Sequence, residues 1–424
     1  MSNELVKELA NRFLSYVKID TQSQENIKDR YPSTDKQKVL AKLLVCELKA
    51  LGLEDAKMDQ YGYVMATFPS NLPQEQSSQV PIIGLLAHMD TSPEVSGKDV
   101  KAIIHENYQG GDIYLPGDQT QVISIEDNPD LKDFVGDTLI TSDGRTLLGA
   151  DDKAGIAEIL TMIDYLNQHS EIPHGTIRIG FTPDEEVGMG TKFFDVEGFG
   201  ADYAYTVDGE GLGTIENETF NAAVAVFSIK GINVHPGYAK GKMVNALRIA
   251  SDMLKEIEDE AAPETTEGRE GYIHPYVLNG SVAAATLRIL IRDFECEGMK
   301  RKSNRLKELQ SRLVKKYPRA HIDLDIKSQY VNMRTILDKD SRILEYAMEA
   351  VKQTGIKARL RFIRGGTDGA QLSHKGLLTP NIFTGSKNAH SNLEWISLQA
   401  MEKAVQTLVN VVHIWAKKSL EILE

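Results

Sequence analysis

Histidine and acidic residues follow several predicted core elements of this 424-residue sequence, and together they have the composition of a metal site. The set comprises His88, Asp90, Asp151, Glu185, Glu186, Asp208 and His390. The two imidazoles, with the three carboxylates of Asp151, Glu186 and Asp208, suit two divalent metal ions that share one bridging carboxylate. Two such ions would offset the charge of three carboxylates and one hydroxide. Without metal the carboxylates would repel one another.

The neighbouring residues Glu185 and Glu186 are predicted to have two different chemical roles. On an extended backbone adjacent side chains diverge, so one would bind metal while the other held the attacking water. A carboxylate pair alone equally predicts a glycosidase. The histidines His88 and His390, at separate strand ends, favour the metal site over that alternative.

These residues lie at the ends of predicted core elements. Apolar and alternating runs predict strands over 80–88, 176–182, 204–209 and 379–384, and helical spacing predicts a helix over 154–166. The pair Asp151 and Asp152 stands at the start of that helix, where an N-cap is its simpler structural role. Because open α/β sheets place their chemistry at the carboxyl ends of their strands, we expect an α/β fold in which these side chains meet.

A different pattern interrupts the first from about residue 220. Its predicted order of elements is β-α-β-β-α-β, which is typical of ferredoxin-like α+β modules. The first pattern resumes afterwards. We therefore predict an inserted domain over 220–333, between two parts of one α/β domain at 1–219 and 334–424.

Composition excludes several classes of function. The net charge of −13, without a Lys/Arg-rich run, argues against nucleic acid as a partner. No apolar run approaches the roughly 20 residues that span a bilayer, so no membrane association is expected. The two cysteines, Cys46 and Cys296, are far apart and fit a reducing compartment. With no signal-peptide pattern at the N-terminus, we expect a cytoplasmic protein.

Several motifs, in order along nearly the whole chain, carry a resemblance to a known family. They are His88-Met89-Asp90-Thr91-Ser92-Pro93, Gly149-Ala150-Asp151-Asp152-Lys153-Ala154-Gly155, Thr182-Pro183-Asp184-Glu185-Glu186-Val187-Gly188, Tyr205-Thr206-Val207-Asp208-Gly209, Arg364-Gly365-Gly366-Thr367-Asp368-Gly369 and Asn381-Ile382-Phe383-Thr384-Gly385. The sequence thereby resembles the tripeptide aminopeptidases of the co-catalytic dizinc aminoacylase/carboxypeptidase superfamily. The resemblance implies a mixed-sheet catalytic domain with helices on both faces. It also makes the inserted ferredoxin-like domain a lid that dimerises.

The resemblance implies a ligand set for two Zn²⁺ ions per chain. His88 and Asp208 would bind one ion, Glu186 and His390 would bind the other, and Asp151 would bridge them. Sequence leaves the metal open, because sites rich in oxygen and nitrogen ligands also accept Co²⁺ or Mn²⁺.

Other residues receive roles around the metals. By resemblance, Asp90 would orient His88, and Glu185 would activate the water and then protonate the leaving amine. In the lid, His235 would polarise the substrate carbonyl and Arg292 would bind the carboxylate of the peptide. From spacing alone, a turn residue is the simpler role for His235, which precedes a proline, and a surface ion pair is the simpler role for Arg292. Arg364, in a glycine-rich loop, is a weaker candidate for a second anchor.

The predicted activity is removal of the N-terminal residue from short peptides, mainly tripeptides, by a homodimer that pairs through the lid. A dipeptidase, a carboxypeptidase or an N-acyl amino acid deacylase on the same metal core are the alternatives. A non-catalytic scaffold protein is disfavoured, because neither a ligand nor Glu185 is missing.

Overall fold

The structure is a computed structural model that describes residues 1–257 and 261–421. It divides into two compact units. The first unit comprises Met1–Asn217, Met333–Phe362 and Thr367–Glu424, and the second comprises Glu218–Asn332 and Ile363–Gly366. The second unit thus covers nearly the range of the predicted insert, 220–333, and adds a short segment from the glycine-rich loop.

The α-helices are numbered along the chain. They are α1 (Asn3–Tyr16), α2 (Gln37–Ala50), α3 (Gln74–Ser77), α4 (Ala150–Gln168), α5 (Val196–Phe199), α6 (Ala246–Glu256), α7 (Cys296–Lys316), α8 (Arg334–Leu337), α9 (Arg342–Gln353), α10 (Asp368–His374) and α11 (Leu398–Glu421). Short 3₁₀ helices occupy Pro129–Phe134, Pro236–Tyr238 and Pro263–Thr265. Within residues 1–257 and 261–421, no helix combines the length and the apolar character needed to cross a membrane.

The strands are numbered in the same way. They are β1 (Lys57–Met58), β2 (Val64–Phe68), β3 (Ile83–His88), β4 (Ile103–His105), β5 (Ile113–Tyr114), β6 (Val122–Ile123), β7 (Leu139–Thr141), β8 (Ile177–Thr182), β9 (Tyr203–Gly209), β10 (Thr214–Thr219), β11 (Asn221–Lys230), β12 (Tyr272–Gly280), β13 (Ala284–Asp293), β14 (His321–Tyr330), β15 (Arg359–Ile363), β16 (Asn381–Phe383), β17 (Ser386–Lys387) and β18 (Trp395–Ser397).

The main sheet of the first unit is mixed, with the strand order β1-β2-β8-β3-β9-β16-β10-β15. The central strands β8, β3, β9 and β16 are parallel, whereas β2 and β10 run antiparallel to their partners. All six residues of β3 are buried, as expected for a central strand that is covered on both faces. The parallel strands therefore bring their carboxyl ends, and the loops that follow, to one edge of the sheet.

Helices cover both faces of this sheet. On one face Ala204 of β9 packs with Phe199 of α5 and Leu372 of α10. The next residue, Tyr205, points to the other face, where its hydroxyl accepts a hydrogen bond from Nε1 of Trp415 in α11 at 2.9 Å. The predicted α/β class, with a mixed sheet and helices on both faces, is confirmed.

The second unit is a four-stranded antiparallel sheet in the order β12-β13-β11-β14. Its core joins residues of the sheet to residues of α6 and α7, among them Phe227, Ile249, Ile289 and Leu309. Along the chain the elements run β11-α6-β12-β13-α7-β14. This order and topology confirm the predicted ferredoxin-like module.

Candidate metal centre

One group of potential metal ligands lies at the end of the central strands. It consists of His88, Asp151 and Asp208, whose ligand atoms lie within 4.8 Å of one another. Nε2 of His88 is 2.8 Å from Oδ1 of Asp151 and 3.6 Å from Oδ1 of Asp208. Two ligand atoms of one tetrahedral zinc ion are about 3.3 Å apart, so these distances are close to those of a ligand set.

A second group shares Asp151 with the first and adds Glu186 and His390. Nε2 of His390 is 2.7 Å from Oε2 of Glu186 and 3.4 Å from Oδ2 of Asp151. The two oxygens of Asp151 thus face one group each. The other carboxylate oxygen of Glu186, Oε1, is buried and accepts no hydrogen bond from the described residues. A metal ion bound to this oxygen would compensate for the missing hydrogen bond. The donor set fits two divalent ions.

Asp90 belongs to neither ligand group, but it forms hydrogen bonds with residues of both groups. Its backbone oxygen accepts a hydrogen bond from Nδ1 of His88 at 3.0 Å, which leaves Nε2 free to act as the ligand. Its carboxylate accepts hydrogen bonds from the backbone N–H groups of Glu185 at 3.0 Å and Glu186 at 3.2 Å. Because β3 ends at His88, Asp90 does not continue the strand, and its carboxylate supports the adjacent turn.

Glu185 and Glu186 lie in a turn after β8, so the extended backbone predicted for them is wrong. The preceding residue, Asp184, is buried and has a φ of 59°. Its carboxylate accepts hydrogen bonds from the N–H and hydroxyl of Ser33, at 2.6 and 2.5 Å, and from Nε2 of Gln37 at 2.7 Å. This anchor and the amide contacts of Asp90 hold the turn that carries both glutamates.

Asp151 occupies a non-helical stretch at the start of α4. Asp152 provides the helix cap, because its carboxylate accepts from the N–H of Gly155 at 3.2 Å and also from the N–H of His88 at 3.1 Å. Of the aspartate pair for which an N-cap was considered, Asp152 therefore makes the cap. A buried carboxylate from a distant turn, Glu394, accepts from the N–H of Asp151 at 3.0 Å.

The buried acids Asp152, Asp184, Asp368 and Glu394 were not predicted as site residues. Asp152, Asp184 and Asp368 lie within motifs of the sequence, and Glu394 follows His390 by four residues; these positions were the only available signal. Their importance comes from burial and from partners distant in sequence. Asp368, for example, accepts a hydrogen bond from the hydroxyl of Thr182 at 2.7 Å, and burial raises its pKa to about 7.

The electrostatics of the centre show how strongly the ligands interact without metal. Burial lowers the pKa of His390, but hydrogen bonds to Asp151 and Glu186 outweigh this and raise the pKa to about 11. Burial and the charge of Asp151 raise the pKa of Glu186 to about 8. Burial raises the pKa of Asp208 to about 6 and that of Glu185 well above its usual range. The metal-free centre therefore retains protons that metal ions would displace.

Metal binding should accordingly release protons. Near neutral pH, His390 is protonated in the metal-free centre because its pKa is about 11. It must lose this proton to bind metal, so metal affinity should rise with pH across this range. Calorimetric titrations of Zn²⁺ in buffers of different ionisation enthalpy should show net release of at least one proton. A binding enthalpy independent of the buffer would contradict this expectation.

Two candidate substrate-binding residues lie in the second unit. His235 precedes the 3₁₀ helix Pro236–Tyr238 and is exposed, and its Nδ1 accepts a hydrogen bond from the N–H of Gly237 at 3.2 Å. Arg292 lies on β13, and its Nη1 donates to the backbone oxygens of Ala223 and Ile291, at 3.3 and 3.0 Å. Their roles toward substrate stay predictions.

Arg364 has partners within the second unit. Its guanidinium donates to the backbone oxygens of Gly268 and Glu270 at 2.9 and 3.0 Å, and to the hydroxyl of Thr266 at 2.8 Å. It also lies over the ring of Phe220, with 5.2 Å between the guanidinium carbon and the ring centroid. These contacts join segment 363–366 to the inserted unit. They give Arg364 a structural role, and its role as a substrate anchor stays a prediction.

A mixed α/β domain whose strand ends bring two ligand groups around one shared carboxylate defines the class of two-metal hydrolases. The ferredoxin-like unit inserted into that domain restricts the choice to two-metal hydrolases that carry such an insertion. The chain belongs to peptidase family M20/M25/M40, whose model matches residues 140–413.

Relatives of similar length agree with this assignment. Peptidase T of Geobacillus sp. (strain WCH70) is 48% identical over 419 residues, which covers 99% of this chain and 100% of the relative. Peptidase T of Clostridium acetobutylicum is 48% identical over 413 residues and covers 97% of this chain and 100% of that relative. The predicted resemblance is confirmed.

Solved structures share the fold. The aminopeptidase PepT from Bacillus cereus ATCC 10987 superposes with a TM-score of 0.73 at 24% identity, covering 97% of this chain and 99% of that chain. A dinuclear metal-binding peptidase of the M20 family from Bacillus subtilis superposes with a TM-score of 0.67 at 15% identity, covering 98% and 99%. Both likenesses extend over the first and the second unit.

Proposed function

We propose that this protein is a two-metal aminopeptidase that removes the N-terminal residue from tripeptides. The observation that supports this most is the pair of ligand groups joined by Asp151, with Glu185 beside the ligand Glu186. A shared carboxylate between two divalent ions is the arrangement that activates one water for attack on an amide. The identity to relatives named peptidase T supports the choice of substrate class.

The residues of the chain divide the chemistry between them. His88 and Asp208 would hold one metal ion, Glu186 and His390 the other, and Asp151 both. Two bound ions would lower the pKa of the attacking water and polarise the scissile carbonyl. Glu185 accepts the proton of that water and then donates it to the amine of the leaving peptide. Burial raises the pKa of Glu185, which makes it a stronger base for the first step.

The length of the substrate would be measured from its carboxylate. We propose that Arg292 binds the C-terminal carboxylate and that His235 helps to polarise the carbonyl. A guanidinium has the planar geometry that binds a carboxylate through two hydrogen bonds. If that carboxylate is held at a fixed distance from the metal ions, only short peptides place their first peptide bond at the reaction centre.

A peptide series tests this function. A free tripeptide should have the highest kcat/KM among di-, tri- and tetrapeptides of the same residue. Amidation of its C-terminus should lower kcat/KM at least about tenfold, because the hydrogen bond between the charged carboxylate and Arg292 would be lost. Acetylation of the N-terminus should abolish turnover by an aminopeptidase and not by a deacylase. Equal cleavage of all lengths and of the amide would contradict the proposal.

Arg292 and Arg288 form a matched pair for this test, because both lie on β13 four residues apart and therefore face the same side of the sheet. In Arg292→Gln the difference in KM between the free tripeptide and its amide should disappear. Arg288→Gln should preserve that difference. A preference unchanged in Arg292→Gln would remove this residue from carboxylate recognition.

We further propose zinc as the metal in the cell, with Co²⁺ or Mn²⁺ as alternatives, a cytoplasmic location, and a homodimer paired through the inserted unit. Cys46 and Cys296 are both free thiols, which supports a reducing compartment. Metal analysis of the protein as purified and its mass in solution test the metal and the dimer.

A further inference from the structure

Glu394 is a buried residue whose carboxylate accepts hydrogen bonds from three backbone amides at the start of α4 and in the loop before it. It is 1% exposed. Its Oε2 accepts from the N–H groups of Leu148 and Gly149, both at 2.7 Å, and its Oε1 accepts from the N–H of Asp151 at 3.0 Å. The ammonium of Lys153, also buried, interacts with this carboxylate electrostatically. Burial raises the pKa of Glu394 to about 7, and the hydrogen bonds from this concave set of amides lower it in part because they stabilise the anion.

Two contacts from one turn therefore converge on Asp151. His390 and Glu394 are four residues apart, between β17 and β18. The imidazole of His390 faces Oδ2 of Asp151 at 3.4 Å, while Glu394 holds the amide of the same residue. The backbone at His390 has a φ of 62°, so this turn is in a conformation that its surroundings must maintain.

We propose that Glu394 is a positioning residue that sets the distance between the bridging carboxylate of Asp151 and the ligand His390. The inference rests on the proposed two-metal function and assigns to Glu394 the assembly of the group formed by Asp151, Glu186 and His390. The group formed by His88, Asp151 and Asp208 depends on it less, because His88 and Asp208 lie on strands of the main sheet.

A helix cap alone does not account for Glu394. The helix α4 already has a local cap, because Asp152 accepts from the N–H of Gly155. Glu394 lies 243 residues from Asp151 in sequence and adds a link between two loops. Its loss should therefore change metal binding more than helix stability.

The test is a metal titration of Glu394→Gln, which keeps the length of the side chain but replaces one acceptor oxygen with a donor. In the wild type, two Co²⁺ ions should bind per chain. The titration is followed through the visible absorption of the bound Co²⁺. In Glu394→Gln the affinity for the ion held by Asp151, Glu186 and His390 should fall at least about tenfold, which is the usual effect of losing a residue that orients a metal ligand. The affinity for the other ion should change much less.

Glu158→Gln is the matched control, because Glu158 is a fully buried glutamate on α4 whose oxygens have no hydrogen-bond partner among the described residues. It should bind both ions as the wild type does. Wild-type affinity for both ions in Glu394→Gln would overturn the inference and leave the proposed function intact. Fewer than two ions on the wild-type protein would overturn both.

Amide exchange in the metal-free wild type gives an independent measurement if Glu394→Gln does not fold. The amides of Leu148, Gly149 and Asp151 should exchange slowly, since each donates a hydrogen bond to the buried carboxylate of Glu394. Rapid exchange of these amides, with α4 itself protected, would show that the anchor is absent and would overturn the inference.

Discussion

Glu185→Gln is expected to lower kcat about a thousandfold or more, while two metal ions per chain remain bound. The substitution keeps the size of the side chain and removes the group that accepts the proton of the attacking water. Glu185 belongs to neither ligand group, so the metal ligands stay in place. Its backbone N–H would still donate to Asp90, which preserves the turn.

Metal content and turnover measured on the same sample separate the possible causes of a loss. Glu210→Gln is a suitable control, because Glu210 is a half-exposed acid just beyond β9 that lies 4.0 Å from Arg361. This control should keep wild-type activity. A Glu185→Gln protein that retains both metal ions and most of its turnover would remove Glu185 from acid–base catalysis.

Local pattern was enough to predict the residues at the strand ends. The apolar run before His88 and the alternating run over 176–182, before Glu185, define strands whose direction is set by the crossover helices of an α/β sheet. Because parallel strands end at one edge, the meeting of these residues follows from the order of the elements. The ferredoxin-like topology of the second unit follows in the same way from the order β-α-β-β-α-β.

The order and periodicity of the elements could not predict contacts between loops that are distant in sequence. The spacing of His88 and Asp90 indicated a carboxylate beside an imidazole. It could not indicate that this carboxylate would also hold amides 95 and 96 residues further along the chain. The hydrogen bonds of Asp184 and Glu394 depend equally on loop conformations that periodicity does not report. Arg364 illustrates the converse, since its glycine-rich surroundings gave no sign of the backbone oxygens that its guanidinium binds.

Asp151→Asn is expected to have the second large effect, reducing bound metal from two ions per chain to at most one and lowering kcat at least about a thousandfold. Asp151 is the one residue common to both ligand groups, and each of its oxygens faces a different histidine. An amide offers one oxygen and one nitrogen that carries two hydrogens, so it cannot serve as a ligand on both sides. Asp164→Asn, on the same helix, removes an ion pair with Arg12 and should leave both metal ions bound.

The metal-free protein provides a separate check of the same geometry. Hydrogen bonds to Asp151 and Glu186 raise the pKa of His390 to about 11, so loss of the Asp151 charge should lower that pKa. The direction follows because a neighbouring carboxylate stabilises the imidazolium, and its removal leaves the opposing effect of burial less compensated. Histidine resonances followed by NMR against pH in metal-free Asp151→Asn and Asp164→Asn would measure the change. An unaltered pKa for His390 in Asp151→Asn would place the imidazole away from Asp151 and contradict a shared bridging ligand.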